Sequence, residues 1–442
     1  LAVAETAARE ELVRTFQNML EENPHAARVR DAALTLEDLS RNGIRTLSEE
    51  DTGQEGVRRR FIIPVYGLEA LAVWSNAPDR LISGSGGGDA RKFRELMREE
   101  YTLSIRSAMK TAIRAIYVLG LDFGVVELAA SEHGRPAVTR VVPVPPASRR
   151  MEVLFSEAIE LHRICMEVEG KRESSAVLGT DPEFVLRRPG GKVVPASRYF
   201  EKRGPVGCDA VRFGRRLLYP LVELRPKPSS DVLELLRALR GTMRVASRRI
   251  EEGSLEWLAG GMPAAGLPLG GHIHMSGLYL NGRLLRALDN YLALPLVLVE
   301  DDTTADRRKR YGFLGDFRRQ FHGGFEYRTP PSWIVSPRIS AGVLALASLL
   351  SDHYRKLDYF PLRDPQVQRH YYDGAKQELL PIVEKLWGEL EKAESYRALE
   401  RFLRPLREQM LRLESWEEQR DIRPAWKIAP YDLSGFSKVN MI

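Results

Sequence analysis

Cysteine is almost missing from this chain: Cys165 and Cys208 are the only two in 442 residues. Two thiols make neither a disulfide framework nor a cysteine-rich zinc site, which fits a reducing compartment. Long apolar runs are also missing, and none reaches the roughly 18 residues that a membrane-spanning helix requires. The opening segment, LAVAETAAREELVRTF, is acidic and helix-like. It lacks the basic start and apolar stretch of a secretory signal, so the expected location is the cytoplasm. No aromatic-interleaved basic stripe occurs. The net charge is +6, from 66 Lys and Arg against 60 Asp and Glu, but the arginines are scattered among acids, as in MREEYTLSIR. That distribution disfavours nucleic acid as the main partner. A basic pocket for phosphates or acidic substrates accounts for the same excess. Internal repeats are absent.

The length fits two domains with a helical appendage. Residues 4–22 read as an amphipathic helix, 58–75 as strand-rich, and SGSGGGD (83–89) as a flexible loop. Helical periodicity runs over 90–119 and stops at Gly120. Strands at 124–130 and 136–144 flank the turn SEHG, PVPPAS (143–148) breaks the chain, and 150–169 is again helical. The domain boundary is expected within 143–175. Beyond it, strand-like runs carry a charged residue at every second position, and helices are expected at about 231–251, 283–299 and 338–357. This alternation predicts an α+β domain over 175–360, an antiparallel sheet with helices behind it. From 364 to 442 the chain reads as a charged helical extension, with helix to about 420.

Alternate residues on a strand share a face. Four pairs use this spacing: Asp181 and Glu183, Glu223 and Arg225, His272 and His274, Glu326 and Arg328. Taken singly, each has a plain reading. Asp181-Pro182-Glu183 is a turn with a solvated acid, and Glu223-Leu224-Arg225 is a solvated strand face. His272 and His274 are a structural pair or half of a zinc site, with no third ligand near in sequence. Arg307, Arg308, Lys309 and Arg310 are a solvated charge run. If the four strands are neighbours, however, one face gathers carboxylates, imidazoles and guanidinium groups. Carboxylates suit Mg²⁺, and arginines suit a transferring phosphoryl group.

Five ordered motifs carry a resemblance over 177–335: LGTDPEF (178–184), VELRPKP (222–228), GGHIHMS (270–276), RRKRYGFLGDFR (307–318) and FEYRTPPS (325–332). The region resembles the phage-type carboxylate–amine ligases (amidoligases, COOH–NH2 ligase type 2), which belong with glutamine synthetase and glutamate–cysteine ligase. The resemblance implies a glutamine synthetase-like fold. It also implies an ATP- and Mg²⁺-dependent ligase, with Mn²⁺ as a possible substitute, joining a carboxylate to an amine through an acyl phosphate. The substrates implied are amino acids, peptides or protein side chains; the oligomeric state is left open. On this resemblance Asp181, Glu183, Glu223, His272 and Glu326 would hold metal, and His274 would lie near the nucleotide phosphates. Arg225 would face the substrate and Arg328 a phosphate, while Arg310 and Arg318 would meet the nucleotide or the acyl phosphate. Gly270, Gly271, Gly312 and Gly315 would let backbone approach the ligand closely. Self-repulsion in a metal-free acid cluster further implies that Glu183→Gln and Glu326→Gln are each at least as stable as the wild type.

Residues 58–147 are similar to a fragment of spore-coat-associated ATP-grasp proteins, through AIRAIYVLGLDFGVVELAASEHGRPAVTRVVPVPPAS (112–148). That family places a Glu-x-Asn pair of Mg²⁺ ligands where this chain has Arg140 and Val142. Glu127 alone remains as an earlier acid. The expectation is a degenerate α/β fragment, non-catalytic, over 1–150. Two other functional classes compete with the ligase: an inactive binding or scaffold protein of a spore or envelope assembly, and a zinc hydrolase using His272 and His274.

Overall fold

Short connections permit only antiparallel pairing, and in the first half of the chain two closely spaced strand pairs, Arg59–Tyr66 with Glu69–Ala70 and Phe123–Ala130 with Ala137–Val142, follow this rule. A computed structural model describes residues 29, 31–48, 56–76, 93–131, 134–146, 148–214, 216–308 and 310–429. The chain forms two compact units, Leu1–Arg172 with Arg363–Pro365, and Glu173–Leu362 with Gln366–Ile442. The helix expected at 4–22 and the loop at 83–89 lie outside the described residues, as does Lys309. Among the described residues, no helix is long and apolar enough to cross a membrane.

The first unit holds β1 (Arg59–Tyr66), β2 (Glu69–Ala70), β3 (Trp74–Ser75), β4 (Arg94–Glu95), β5 (Phe123–Ala130) and β6 (Ala137–Val142). Their order is β4-β3-β1-β5-β6, with β2 on β1. Every strand pairing is antiparallel, so the expected α/β fragment is instead an antiparallel sheet with helices. The helix expected from residue 90 begins only at Leu103, as α2 (Leu103–Val118), after α1 (Ala32–Arg41). Upstream, Glu100 accepts the Met97 N–H at 2.8 Å and pairs with Arg94, which ties residues 94–100 into a strand and a tight turn. Ile105, Ala108, Ala112, Ala115 and Ile116 bury one face of α2. The long α3 (Arg149–Gly170) is capped by Ser148, whose hydroxyl accepts the Met151 N–H. Glu127 sits opposite Arg140 across β5 and β6, 3.7 Å away, and both side chains are exposed.

The second unit divides its motifs between two sheets rather than one. β7 (Val177–Thr180), β8 (Glu183–Arg187), β9 (Val193–Val194), β10 (Val206–Phe213), β11 (Arg216–Leu224), β12 (Glu256–Leu258), β13 (Ile273–Ser276), β14 (Phe317–Arg319) and β15 (Phe325–Tyr327) follow in turn. One sheet runs β10-β11-β8-β12 with β9 on β8; the other runs β14-β15-β13-β7. The switch falls at Asp181-Pro182. Proline has no N–H for a ladder, so β7 cannot run straight into β8. The Asp181 N–H reaches the His272 carbonyl at 3.4 Å, while the Pro182 carbonyl takes the Leu224 N–H at 3.1 Å, one bond to each sheet.

Behind the five-stranded sheet lies α4 (Val232–Arg249), capped by Asp231, with Leu235, Leu239, Met243 and Ala246 buried. The helix expected at 283–299 is interrupted. After α5 (Gly282–Leu288) the coil widens over Asp289–Ala293. There the buried Asp289 carboxylate accepts the Gly315 N–H and the Tyr327 hydroxyl, both at 2.7 Å. A short α6 (Thr304–Arg308), a deeply buried α7 (Pro337–His353), and α8 (Pro365–Asp373), α9 (Lys376–Leu390) and α10 (Tyr396–Leu411) complete the described helices used here.

Candidate active site

In the four-stranded sheet Arg318, Glu326 and His274 stand opposite one another across β14, β15 and β13, and Gly179 of β7 ends the row without a side chain. His272 lies just before β13 and turns to the same place. Its Nδ1 is 3.2 Å from Asp181 Oδ1 and 3.3 Å from Glu326 Oε1. His274 Nε2 is 3.1 Å from Asp181 Oδ2. Both histidines therefore converge on Asp181. Glu326 is almost fully buried and has further neighbours: Arg328 Nε at 2.9 Å, Arg318 Nη1 at 3.2 Å and the Gln320 side-chain amide at 3.1 Å.

In the five-stranded sheet Glu183 faces Glu223, and Glu223 faces Gly207. The missing Gly207 side chain leaves the space that the Arg225 guanidinium fills. Arg225 pairs with Glu223 and also donates to the Gly204 carbonyl. Glu183 has no such cation. It is buried and accepts the Gly270 N–H at 2.6 Å. Burial pushes its pKa far up, and the charges of Asp209, Glu223 and Asp181 add to this. Asp209, two residues beyond Gly207 on β10, thus joins the acid row.

The remaining expected residues fall elsewhere. Arg310 is exposed, in the turn after α6. Gly271 and Gly312 have internal reasons to be glycine. A Cβ at Gly271 would sit 2.1 Å from the Pro331 carbonyl oxygen. Gly312 adopts φ +71°, and its missing side chain makes room for Arg307. Arg307 and Arg308, expected in solvent, are buried. Arg307 donates to the carbonyls of Leu269, Thr329 and Pro330 at 2.6, 2.9 and 2.8 Å. Arg308 pairs with buried Glu300. Sequence reading missed Asp209, Gln320 and Tyr311. The Tyr311 hydroxyl lies 2.8 Å from His272 Nε2 and receives a hydrogen bond from Arg328 at 2.5 Å. A weak signal existed for it: Tyr311 is the single aromatic inside RRKRYG.

Asp181, His272 and Glu326 each offer a ligand atom, and these lie within 4.8 Å of one another. The third ligand that the histidine pair lacks nearby in sequence thus comes from two distant strands. Asp181 Oδ1 and His274 Nε2 are buried, and their close approaches do not have hydrogen-bond geometry. Two carboxylates and an imidazole with undirected lone pairs fit a divalent cation. Burial would raise the Asp181 pKa, but the two imidazoles outweigh it and hold the carboxyl well below its ordinary range.

Protonation in the metal-free protein gives a first prediction. Burial, and next the charge of Asp181, push the Glu223 pKa up to about 8. Glu183 shifts the same way. The folded state then keeps protons that the unfolded chain releases near its ordinary carboxylate pKa. Stability from these groups is greatest at low pH and falls as pH climbs toward the folded value. Burial lowers the His274 pKa, but the Asp181 carboxylate more than compensates and raises it. A raised histidine likewise loses its contribution as pH rises. All three groups therefore act in one direction. In chelator, the melting midpoint should fall between about pH 5 and about pH 8, and Glu223→Gln should flatten the slope. Burial lowers the pKa of His162 and of His353, which opposes this trend, so the comparison between proteins decides: a Glu223→Gln slope equal to that of the wild type contradicts the assignment.

Among models of protein families, the one described as phage phiEco32-like COOH–NH2 ligase type 2 matches residues 178–428. Comparison with curated proteins gives no match. Similar solved structures include a bifunctional glutathione synthetase from Pasteurella multocida, 11% identical, TM-score 0.34, covering 61% of this chain and 54% of that one. An apo GmaS without ligand is 16% identical, TM-score 0.30, covering 62% of this chain and 77% of that one. The chain therefore spans about half the length of that glutathione synthetase.

Proposed function

The chain belongs to the phage phiEco32-like COOH–NH2 ligase type 2 family, and on that premise we propose that it is an ATP-dependent ligase joining a carboxylate to an amine as an amide or isopeptide. The observation that carries this reading is the convergence of Asp181, His272 and Glu326 from three separate segments, with Arg318 and Arg328 against Glu326. In the proposed reaction the substrate carboxylate attacks the γ-phosphorus of ATP and ADP leaves. The amine then attacks the acyl phosphate carbon and phosphate leaves. Asp181, His272 and Glu326 would hold a Mg²⁺ or Mn²⁺ ion, which supplies positive charge where phosphoryl transfer builds up negative charge.

The chain's own side chains divide the remaining work. Arg318 is more than half exposed, so its guanidinium can leave Glu326 for an arriving phosphate at little cost. Arg328 is held more tightly, by Glu326 and Tyr311, and presents a fixed donor. His274, half-buried beside Asp181, keeps the acid charged. Glu183 and Glu223, with Asp209 beside them, form a second carboxylate row, and a cation would draw Glu183 and Glu223 into their ionised form. Arg225 neutralises Glu223 at the edge of that row. The first unit is proposed to be non-catalytic, because Glu127 is paired across the strands with Arg140, a cation where a metal site needs a second acid.

The test is ADP and phosphate release from Mg-ATP against pooled amino acids and peptides, alongside melting curves. Mg-ATP at millimolar concentration should raise the midpoint, because a ligand bound at a hundred times its Kd stabilises the native state by about 2.7 kcal/mol. Glu127→Ala should leave turnover intact. Absence of both a thermal shift and nucleotide turnover argues against the ligase reading. Loss of turnover in folded Glu127→Ala would move the catalytic centre to the first unit.

A further inference from the structure

Tyr311 holds a position that neither the motif nor the ligand set explains. Its hydroxyl touches one residue on each side of the site: His272, whose other edge faces Asp181 and Glu326, and Arg328, which pairs with Glu326. Its ring lies 5.2 Å from the Arg307 guanidinium and 5.3 Å from that of Arg328, and 5.9 Å from the His272 ring. The phenol is therefore packed by two cations and cannot swing away without losing both.

The donor and acceptor rules fix one of these bonds, and the histidine's tautomer sets the other. Arginine only donates, so the phenol oxygen accepts from Arg328. The single phenol proton is then free for His272 Nε2, 2.8 Å away. Two carboxylates facing Nδ1 disfavour a lone pair there, so a neutral ring carries its hydrogen on Nδ1 and Nε2 accepts. When a cation displaces the Nδ1 proton, the ring must carry its hydrogen on Nε2. The phenol oxygen can accept from it there, because a hydroxyl both donates and accepts. A second-shell partner of this kind orients a ligating histidine and sets its tautomer.

We propose that Tyr311 is a positioning residue whose hydroxyl holds the Nδ1 edge of His272 toward Asp181 and Glu326 in both tautomers, and links the cation ligands to Arg328. The proposal rests on the reading of Asp181, His272 and Glu326 as a cation site. Its consequence is specific: removing one oxygen atom that lies outside the proposed metal-ligand set weakens metal binding, and the loss is felt at Arg328 as well.

The experiment titrates Mn²⁺, followed by water-proton relaxation without nucleotide, into the wild type, His272→Ala and Tyr311→Phe. Tyr311→Phe keeps the ring over both arginines and deletes only the hydroxyl. It should bind Mn²⁺ about 10- to 100-fold more weakly than the wild type, with an unchanged far-ultraviolet spectrum. With Mg-ATP, KM for the nucleotide should rise as well, since Arg328 loses its tether. A second measurement needs no variant. In wild-type protein labelled with ¹⁵N-histidine, the His272 resonance, assigned by its loss in His272→Ala, should show an unprotonated Nε2 without metal. On addition of a diamagnetic cation, Mg²⁺, it should show a protonated Nε2. If the wild type and His272→Ala differ in Mn²⁺ affinity while Tyr311→Phe matches the wild type, the Tyr311 proposal is wrong and the cation site stands. A metal-free His272 already protonated at Nε2 alone also overturns it. Failure of the wild type to bind Mn²⁺ removes the cation site, and the proposal with it.

Discussion

Glu326→Gln is expected to lower ATP-dependent turnover by at least about a thousandfold while the protein remains folded. The substitution keeps the size, removes the charge and turns one acceptor oxygen into an NH2 that meets only donors. That charge has several neighbours at once: Arg328 Nε at 2.9 Å, Arg318 Nη1 at 3.2 Å and His272 Nδ1 at 3.3 Å. Without it the proposed cation loses one of two carboxylates, and two guanidinium groups lose their counter-charge. Metal-free stability should fall by roughly 1–3 kcal/mol, because Arg328 is left paired mainly to a neutral phenol. Glu183→Gln should behave differently. Glu183 faces other acids, is fully buried and has no cation, so its neutral form is the folded one. The amide should leave metal-free stability unchanged or raised, and Mg-ATP should protect that variant less than the wild type. The expectation of gained stability for both variants thus holds for Glu183 alone, since Glu326 already has its cations. ADP release and melting curves in chelator and in Mg-ATP check each point. Turnover of Glu326→Gln within tenfold of the wild type would sink the assignment.

Period-two patterning made the polar face legible in the sequence. Asp181, Glu223, His274 and Glu326 each alternate with apolar residues or stand at a strand end, and nothing in a solvated strand requires acids and histidines at four such places. The pattern could not say that the face is built from two sheets, because a face read from alternation is indifferent to which strand pairs with which. Pro182 held that information: between Asp181 and Glu183 it stops one ladder and starts another. Single residues were harder to see. Asp209 enters through a strand whose partner position is a glycine, and Tyr311 enters from a turn, so neither shows a period. Arg307 and Arg308 were misread because a run of four basic residues is usually solvated. Burial is decided here by carbonyls 22 to 38 residues away and by Glu300, 8 residues before Arg308. The widening at Asp289 was equally hidden, since its cause is Gly315 and Tyr327 on other segments.

Arg307→Met is expected to lower stability by roughly 3–6 kcal/mol, the largest stability effect among single substitutions in the site. Arg307 is fully buried, and among the described residues its hydrogen bonds go to backbone carbonyls and to no acid. Its guanidinium bolts the Leu269 carbonyl, which leads into Gly270, Gly271 and His272, to the Thr329 and Pro330 carbonyls, which follow Arg328. Methionine matches much of its length and none of its donors, so three carbonyls would lose their guanidinium donors. Buried acceptors left unpaired cost about 1–3 kcal/mol each, and the costs overlap because one backbone shift can relieve more than one. Arg307→Lys should fall between, since an ammonium cannot reproduce the planar fork. The effect should extend to chemistry. Gly270 supplies the N–H on Glu183, and Thr329 adjoins Arg328, so slackening both segments displaces His272 and Arg328 together. Arg310→Met, three residues away and exposed, provides the contrast: its midpoint should stay within about 0.5 kcal/mol of the wild type. Any loss of turnover there would then report the nucleotide contact expected of Arg310. Melting curves of the three variants separate the roles. An Arg307→Met protein as stable as Arg310→Met would mean that the guanidinium is replaceable by packing alone, and that the two segments are held in register instead by the sheet and by Trp333, whose Nε1 donates to the Gly271 carbonyl at 2.8 Å.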